Sequence, residues 1–294
     1  MLSLRKTSFL LSLVALASCA PTARKPTTPP PRTLRLEPFK LLASGSGKIE
    51  VLDATGLFEA GGRYLEAKKH RSALRHFDRL LVHFPNSRYV SPALYNAGLA
   101  HEALGQFGKA AARYKELVRR FGRTRDAIDA GFRLGGCYAE LRNWASSAAV
   151  FAVLLQRKEL SAADRVEASA RQGLAYFRMD DHQRARRVLL AAARFARKVE
   201  ESERLDNDFF LAMVHYYLAA IPHAQFRVAT VSSGKLMGVQ LDGKARLLLL
   251  SQRRYIGAIK IKNPYWATAA GFQIGSLYRE FYNTLMTTLP DFTK

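Results

Sequence analysis

From Ala54 to Pro85 the chain reads ATGLFEAGGRYLEAKKHRSALRHFDRLLVHFP, and the spacing of small and large residues in this stretch decides the fold. Counted from Ala54, the fourth position is Leu57, the eighth Gly61 and the eleventh Tyr64. The twentieth is Ala73, the twenty-fourth Phe77, the twenty-seventh Leu80 and the thirty-second Pro85. The set returns from Ser91 as Leu94, Gly98, His101, Ala110, Tyr114 and Leu117, with Gly122 where the first unit has proline. From Ile128 it returns as Gly135, Tyr138, Ser147, Phe151 and Leu154, and from Val166 as Gly173, Tyr176, Ala185, Leu189 and Ala192. The starts lie 37, 37 and 38 residues apart, and the pattern is helical from about residue 53 onward. A fixed period of this length marks stacked units, none of which buries its apolar face alone.

The pattern resembles the tetratricopeptide repeat, a unit of helix A, turn and helix B with a period of about 34 residues. The three to four extra residues imply a longer turn between units. The resemblance predicts an all-α, TPR-type α-solenoid of about five to six helix pairs. Gly61 and Ala73 would sit where helices A and B touch, Tyr64 and Phe77 would fill the gap toward neighbouring helices, and Pro85 would end helix B because it lacks an N–H. The period and phrases such as Phe84-Pro85-Asn86-Ser87-Arg88-Tyr89 resemble periplasmic lipoproteins of the BamD type. Four repeats are expected over residues 53–204.

The last third is less regular. A helix is expected over Leu205–Val228, a break over Val231–Gly243, a helix over Lys244–Ile259 and another after Pro264. Gly271, Gly275 and Tyr278 fall at helix-A spacing. Residues 205–294 read as two diverged pairs that continue the solenoid, or as a separate helical domain. The run from Trp266 to Gly271 and from Ile274 to Tyr278 resembles TPR envelope proteins of myxobacteria.

The N-terminus sets the compartment. Arg5 and Lys6 precede a short apolar run from Phe9 to Leu16, too short to span a hydrocarbon core of ~30 Å but of signal-peptide size. Leu16-Ala17-Ser18-Cys19 resembles the lipobox of bacterial lipoproteins. That resemblance makes residues 1–18 a signal peptide and Cys19 the lipidated residue. An ordinary secretory signal with a chance cysteine is the alternative. Each buried methylene contributes ~0.8 kcal/mol, so several acyl chains on one cysteine give a stable anchor. Ala20 after the cysteine favours the outer membrane by analogy with enterobacterial sorting. Residues 19–52 read as a tether: five prolines and three threonines stand in Ala20–Arg32, and a Gly/Ser run ends near Gly47. A Pro-rich recognition motif is the other reading of the proline cluster. No later stretch is long enough to span a membrane; the best, Phe209–Ile221, has 13 residues and includes His215.

Composition excludes several function classes. Hydrophobic residues make up 48% of the 294, so most of the chain folds. Two cysteines exclude a disulfide framework and a cysteine-built zinc cluster. G-x-x-x-x-G-K-[ST], G-x-S-x-G and H-E-x-x-H are absent. His76 and His83 could share a helical face with a metal, but no third ligand is apparent. Cys137 reads as a core thiol. The expectation is a non-enzyme with no cofactor and no metal.

The family places partners in the groove lined by helices A, at positions 2, 5, 9, 12 and 13 of each unit. Carried over, the candidates are Phe58, Leu65 and Glu66; Tyr95, Leu99 and Glu102; Asp129, Phe132 and Glu140; and Glu167, Phe177 and Arg178. Aromatics beside carboxylates suit an extended peptide or a partner helix; alternatively the rings pack on the next helix. The net charge of +22 is unevenly spread. The four helix-A segments hold four basic and six acidic residues, whereas the segments between and after them, to residue 204, hold 24 basic and 10 acidic. Export makes nucleic acid an unsuitable partner. The sequence therefore points to an outer-membrane-anchored scaffold facing the periplasm that holds protein partners in envelope assembly. The machinery would be that of outer-membrane proteins, of pilus or secretin, or of gliding motility. The alternative is a module that lays its basic surface on peptidoglycan or anionic lipid, or a non-catalytic partner of a cell-wall enzyme.

Overall fold

The structure, a computed structural model, describes residues 39–43, 49–200 and 208–288. The signal, the candidate Cys19 and the proline-rich stretch lie outside the described residues. Strands β1 (Phe39–Ala43) and β2 (Ile49–Asp53) precede eleven described helices. These are α1 (Ala54–Glu66), α2 (His70–His83), α3 (Val90–Ala103), α4 (Phe107–Phe121), α5 (Arg125–Glu140) and α6 (Trp144–Leu155). Then come α7 (Ala162–Arg178), α8 (His182–Glu200), α9 (Asp208–Val228), α10 (Met237–Lys260) and α11 (Pro264–Thr288). Each packs on the next in sequence, which gives an all-α, TPR-type solenoid. None is long and apolar enough to cross a membrane.

The repeat chemistry is visible atom by atom. A Cβ built on Gly61 would lie 2.5 Å from the Phe77 ring, and one on Gly98 would lie 2.4 Å from Tyr114. On Gly135 it would lie 2.5 Å from Phe151, and on Gly173 2.4 Å from Leu189. The eighth residue is glycine because the twenty-fourth of the same unit occupies the space of its side chain. Phe77 thus fills its own unit rather than the gap to a neighbour, and Tyr64 is 36% exposed, stacked on His76 at 5.2 Å. Position 20 (Ala73, Ala110, Ser147, Ala185) is buried in every unit. Ser147 meets the rule that buried polar groups be paired by donating to the Gly135 carbonyl at 2.9 Å.

The turn between the two helices of a unit repeats as well. Lys68, Gly105, Arg142 and Asp180 all have φ between 55° and 68°, in the left-handed region, and the second helix starts two residues later. Lys262 has the same conformation and α11 starts two residues after it. By this geometry α10 and α11 form a first-and-second-helix pair, so Gly271, Gly275 and Tyr278 lie on a second helix, not on a helix A. The break expected over Val231–Gly243 is shorter, since Asp242 and Gly243 lie inside α10. Helix α9 packs on both α7 and α8, so the C-terminal helices continue the stack.

The end of the expected tether also has structure. Strands β1 and β2 pair antiparallel, from Phe39 opposite Asp53 to Ala43 opposite Ile49. Leu52 is buried in the core of the first units, Glu50 pairs with Arg79 of α2, and Asp53 caps α1 by accepting from the Gly56 N–H. The basic excess is seen on the second helices: Arg71, Arg75, Lys115 and Arg119 are exposed, as are Arg186, Arg187, Arg194 and Lys198 on α8.

Candidate partner-binding groove

Helices α3, α5 and α7, the first helices of three successive units, line a cavity of about 510 Å³. Tyr95 and Glu102 come from α3, Asp129, Phe132 and Glu140 from α5, and Glu167 from α7. Tyr95 and Phe132 are half-buried. Each rests on the fully buried ring of its own unit, Tyr95 on Tyr114 at 5.8 Å between centroids and Phe132 on Phe151 at 6.1 Å. One side of each ring packs on the core, and the residue also lines the groove.

The groove's arginines stand outside the positions 2, 5, 9, 12 and 13. Arg133 pairs with Glu102 at 3.1 Å across from α5 to α3, and Arg171 pairs with Glu167 at 2.8 Å. Arg125, outside the cavity, spans Asp129 at 3.4 Å and Asp164 at 3.3 Å. Arg133 and Arg171 both stand at position 6 of their units. Positions 2, 6, 9 and 13 are spaced four, three and four residues apart and so share one helical face; in α5 they are Asp129, Arg133, Gly136 and Glu140, all lining the cavity. That periodicity was the signal available in the sequence. With Asp164, five carboxylates face two arginines, and the groove is acidic within a strongly basic chain. Burial raises the Glu167 pKa, against the opposing charge of Arg171.

Six of the expected residues lie elsewhere, Leu65 among them, half-buried against the core of the first units. Phe58 is covered by Tyr89, stacked at 5.0 Å. Glu66 is exposed at the last turn of α1, and Leu99 is half-buried outside the cavity lining. Phe177 and Arg178 line a second cavity of about 310 Å³ with Tyr216 and Tyr217 of α9. Among the described residues no group of three His, Cys, Asp or Glu side chains is gathered that could hold a metal.

Cys137 is buried and in no disulfide at the groove floor, and its thiol donates to the Glu102 carboxylate at 3.8 Å. Burial, then the negative charge of Glu102, push its pKa up to about 12. At pH 8 only about one thiol in ten thousand is then ionised, against roughly a quarter of an ordinary thiol. Alkylation at Cys137, followed by mass spectrometry, is expected to be at least about a hundredfold slower in the folded chain than in urea. Equal rates would mean that the groove floor is open.

Residues 92–124 match the family model of the tetratricopeptide repeat. This repeat is α3 with α4, and its turn is the one that carries glycine at the left-handed position. The fold is similar to that of MamA from Desulfovibrio magneticus RS-1, 16% identical over 68% of this chain and 96% of that one, with a TM-score of 0.45. A tetratricopeptide repeat protein from Parabacteroides merdae is 13% identical over 81% of this chain and 80% of that one, with a TM-score of 0.48. No protein of curated function matches the chain in sequence.

Proposed function

We propose that the chain is a non-enzymatic scaffold of the bacterial cell envelope, anchored by lipid at Cys19 in the outer membrane, with its repeats in the periplasm. The observation that carries the scaffold reading is the acidic groove of about 510 Å³, in which Tyr95 and Phe132 sit among five carboxylates. Such a surface suits an extended segment or helix of a protein partner that presents basic residues to the carboxylates and an apolar side chain to the two rings. The lipobox resemblance at Leu16–Cys19 supports the anchor, and Ala20 supports the outer membrane.

The test is crosslinking in intact cells with the full chain, followed by identification of the captured protein. Tyr95→Ala and Phe132→Ala are each expected to weaken capture by about thirtyfold, the effect of losing a hot-spot aromatic. Glu140→Lys, at an exposed carboxylate of the groove rim, is expected to weaken it without altering folding. Capture that survives all three changes would overturn the groove as the binding surface. A second reading rests on the exposed arginines of α8: a basic face that lies on anionic glycan or lipid. Binding to purified sacculi that falls steeply with salt, and is untouched by Glu140→Lys, would favour it.

A further inference from the structure

Helix α11 presents a face unlike those of α2, α4 and α8. Its exposed residues recur every three or four positions, as Tyr265, Thr268, Phe272, Gly275, Arg279, Tyr282 and Met286. Phe272 is 67% exposed, Tyr265 65%, Met286 63% and Tyr282 59%. In its 25 residues only Arg279 and Glu280 are charged, whereas α8 carries six arginines and lysines and Glu200. Helix α6 carries no charge, but Val153 is its one large exposed apolar residue. Gly275 is open, since a Cβ built on it would meet nothing within 4 Å. Among the described residues no element covers this face.

The repeats show what such a glycine does: an aromatic ring from an antiparallel helix sits against Gly61, Gly98 and Gly135. The α11 face carries both halves of that contact three residues apart. If two copies of α11 pack antiparallel about a two-fold axis between residues 273 and 274, each Phe272 falls opposite the partner's Gly275. The same register sets Tyr265 against the partner's Tyr282 and Thr268 against the partner's Arg279. The two arginines then stand about 16 Å apart along the axis, at 1.5 Å per residue. A two-fold contact requires this self-complementarity. Charge opposes pairing of two copies least at this face. A second copy of a chain with net charge +22 is repelled by most of its surface but not by a face with one arginine beside a glutamate that pairs with Arg227. The four exposed side chains leave on the order of 400 Å² per copy to be covered. That is about half of the ~800 Å² per partner of a stable interface, before the flanking residues add theirs.

We propose that α11 is a self-association face: two copies of the chain pair through α11, antiparallel, with each Phe272 ring seated on the other copy's Gly275. The face is separate from the acidic groove, so the proposal does not rest on the function assigned to that groove.

The experiment is sedimentation analysis of the full chain in mild detergent over a concentration series, with circular dichroism and melting as folding controls. The wild type is expected to pass from monomer to dimer. Gly275→Leu, which fills the seat, and Phe272→Glu, which removes the ring, are each expected to raise the dissociation constant at least about tenfold. Their melting should match the wild type, because both sites are exposed. Val239→Glu, at an exposed position on α10, should leave dimerisation unchanged. A wild type that stays monomeric overturns the proposal. So does a dimer that persists in both variants. Binding of the monomer to neutral phospholipid vesicles, lost in Phe272→Glu, would overturn it by making lipid the occupant.

Discussion

Gly98→Ala destabilises the fold by about 1–3 kcal/mol, although Gly→Ala at an open helical site stabilises by up to about 1 kcal/mol. The new Cβ would lie 2.4 and 2.5 Å from two carbons of the Tyr114 ring. That ring is fully buried, so it cannot swing into solvent, and the two helices of the unit must separate. Gly62→Ala is the internal control: it lies on α1 one residue from Gly61, with nothing within 4 Å of its Cβ, and the change there is expected to stabilise. Tyr114→Ala alone costs about 3–5 kcal/mol through the cavity it leaves. In that background Gly98→Ala should recover its helix-propensity gain, so the two changes are strongly coupled. Urea-unfolding midpoints of the wild type and the four variants check this. If Gly98→Ala and Gly62→Ala behave alike, ring-on-glycine packing is not what sets the repeat.

The same contact explains what could be read from the sequence and what could not. The repeat was legible at Gly61, Gly98, Gly135 and Gly173 because only glycine leaves room for the large side chain opposite, a ring in three units and Leu189 in the fourth, and four such glycines at one period do not arise by composition. Their partner was misread for Phe77 because spacing along one helix does not say which neighbour a ring faces. Gly275 carried the right spacing on α11, but a glycine without a ring opposite it is open, and the left-handed turn at Lys262 places that helix second in its pair. In the groove, Tyr95, Glu102, Asp129, Phe132, Glu140 and Glu167 were legible from the family positions. Arg133 and Arg171 were not, because position 6 is outside that set although it completes the face formed by 2, 9 and 13. The hairpin at Phe39–Asp53 was hidden by the Gly/Ser run between its strands, whose composition resembles a linker.

Acidification from about pH 7 to about pH 5.5 is expected to lower stability, because four histidines are held below their ordinary pKa of 6.5. Burial is the leading cause at His76, His101 and His223 and the sole cause at His215. At His101 the Gln106 side chain, 2.9 Å from Nδ1, works against the shift, and at His223 the charge of Glu280 does so. His223 has its Nδ1 at 3.1 Å from the Tyr255 hydroxyl, while its Nε2 is buried without a hydrogen-bond partner, so a second ring proton would have nothing to donate to. Below pH 6.5 the unfolded chain takes up protons that the folded chain refuses. Stability therefore falls as pH drops from 6.5 toward each folded pKa, with a slope of at most about 1.4 kcal/mol per pH unit for each histidine. The raised pKa of Glu167 acts in the opposite sense: as pH falls through it, the unfavourable burial of its charge is relieved. That one carboxyl opposes the four histidines. Glu50 and Asp181, whose pKa values are lowered by hydrogen bonds to Arg79 and Arg184, add their loss only below the carboxylate range. His215→Leu separates burial from charge, since no charged group contributes to the His215 shift; the variant should keep its stability at pH 7 and flatten the decline. Urea midpoints at about pH 7.5, 6.5 and 5.5 for both chains measure this. A midpoint that is level across that range in the wild type would mean that the histidines are solvated and the α9 helix that carries His215 and His223 is not packed as found.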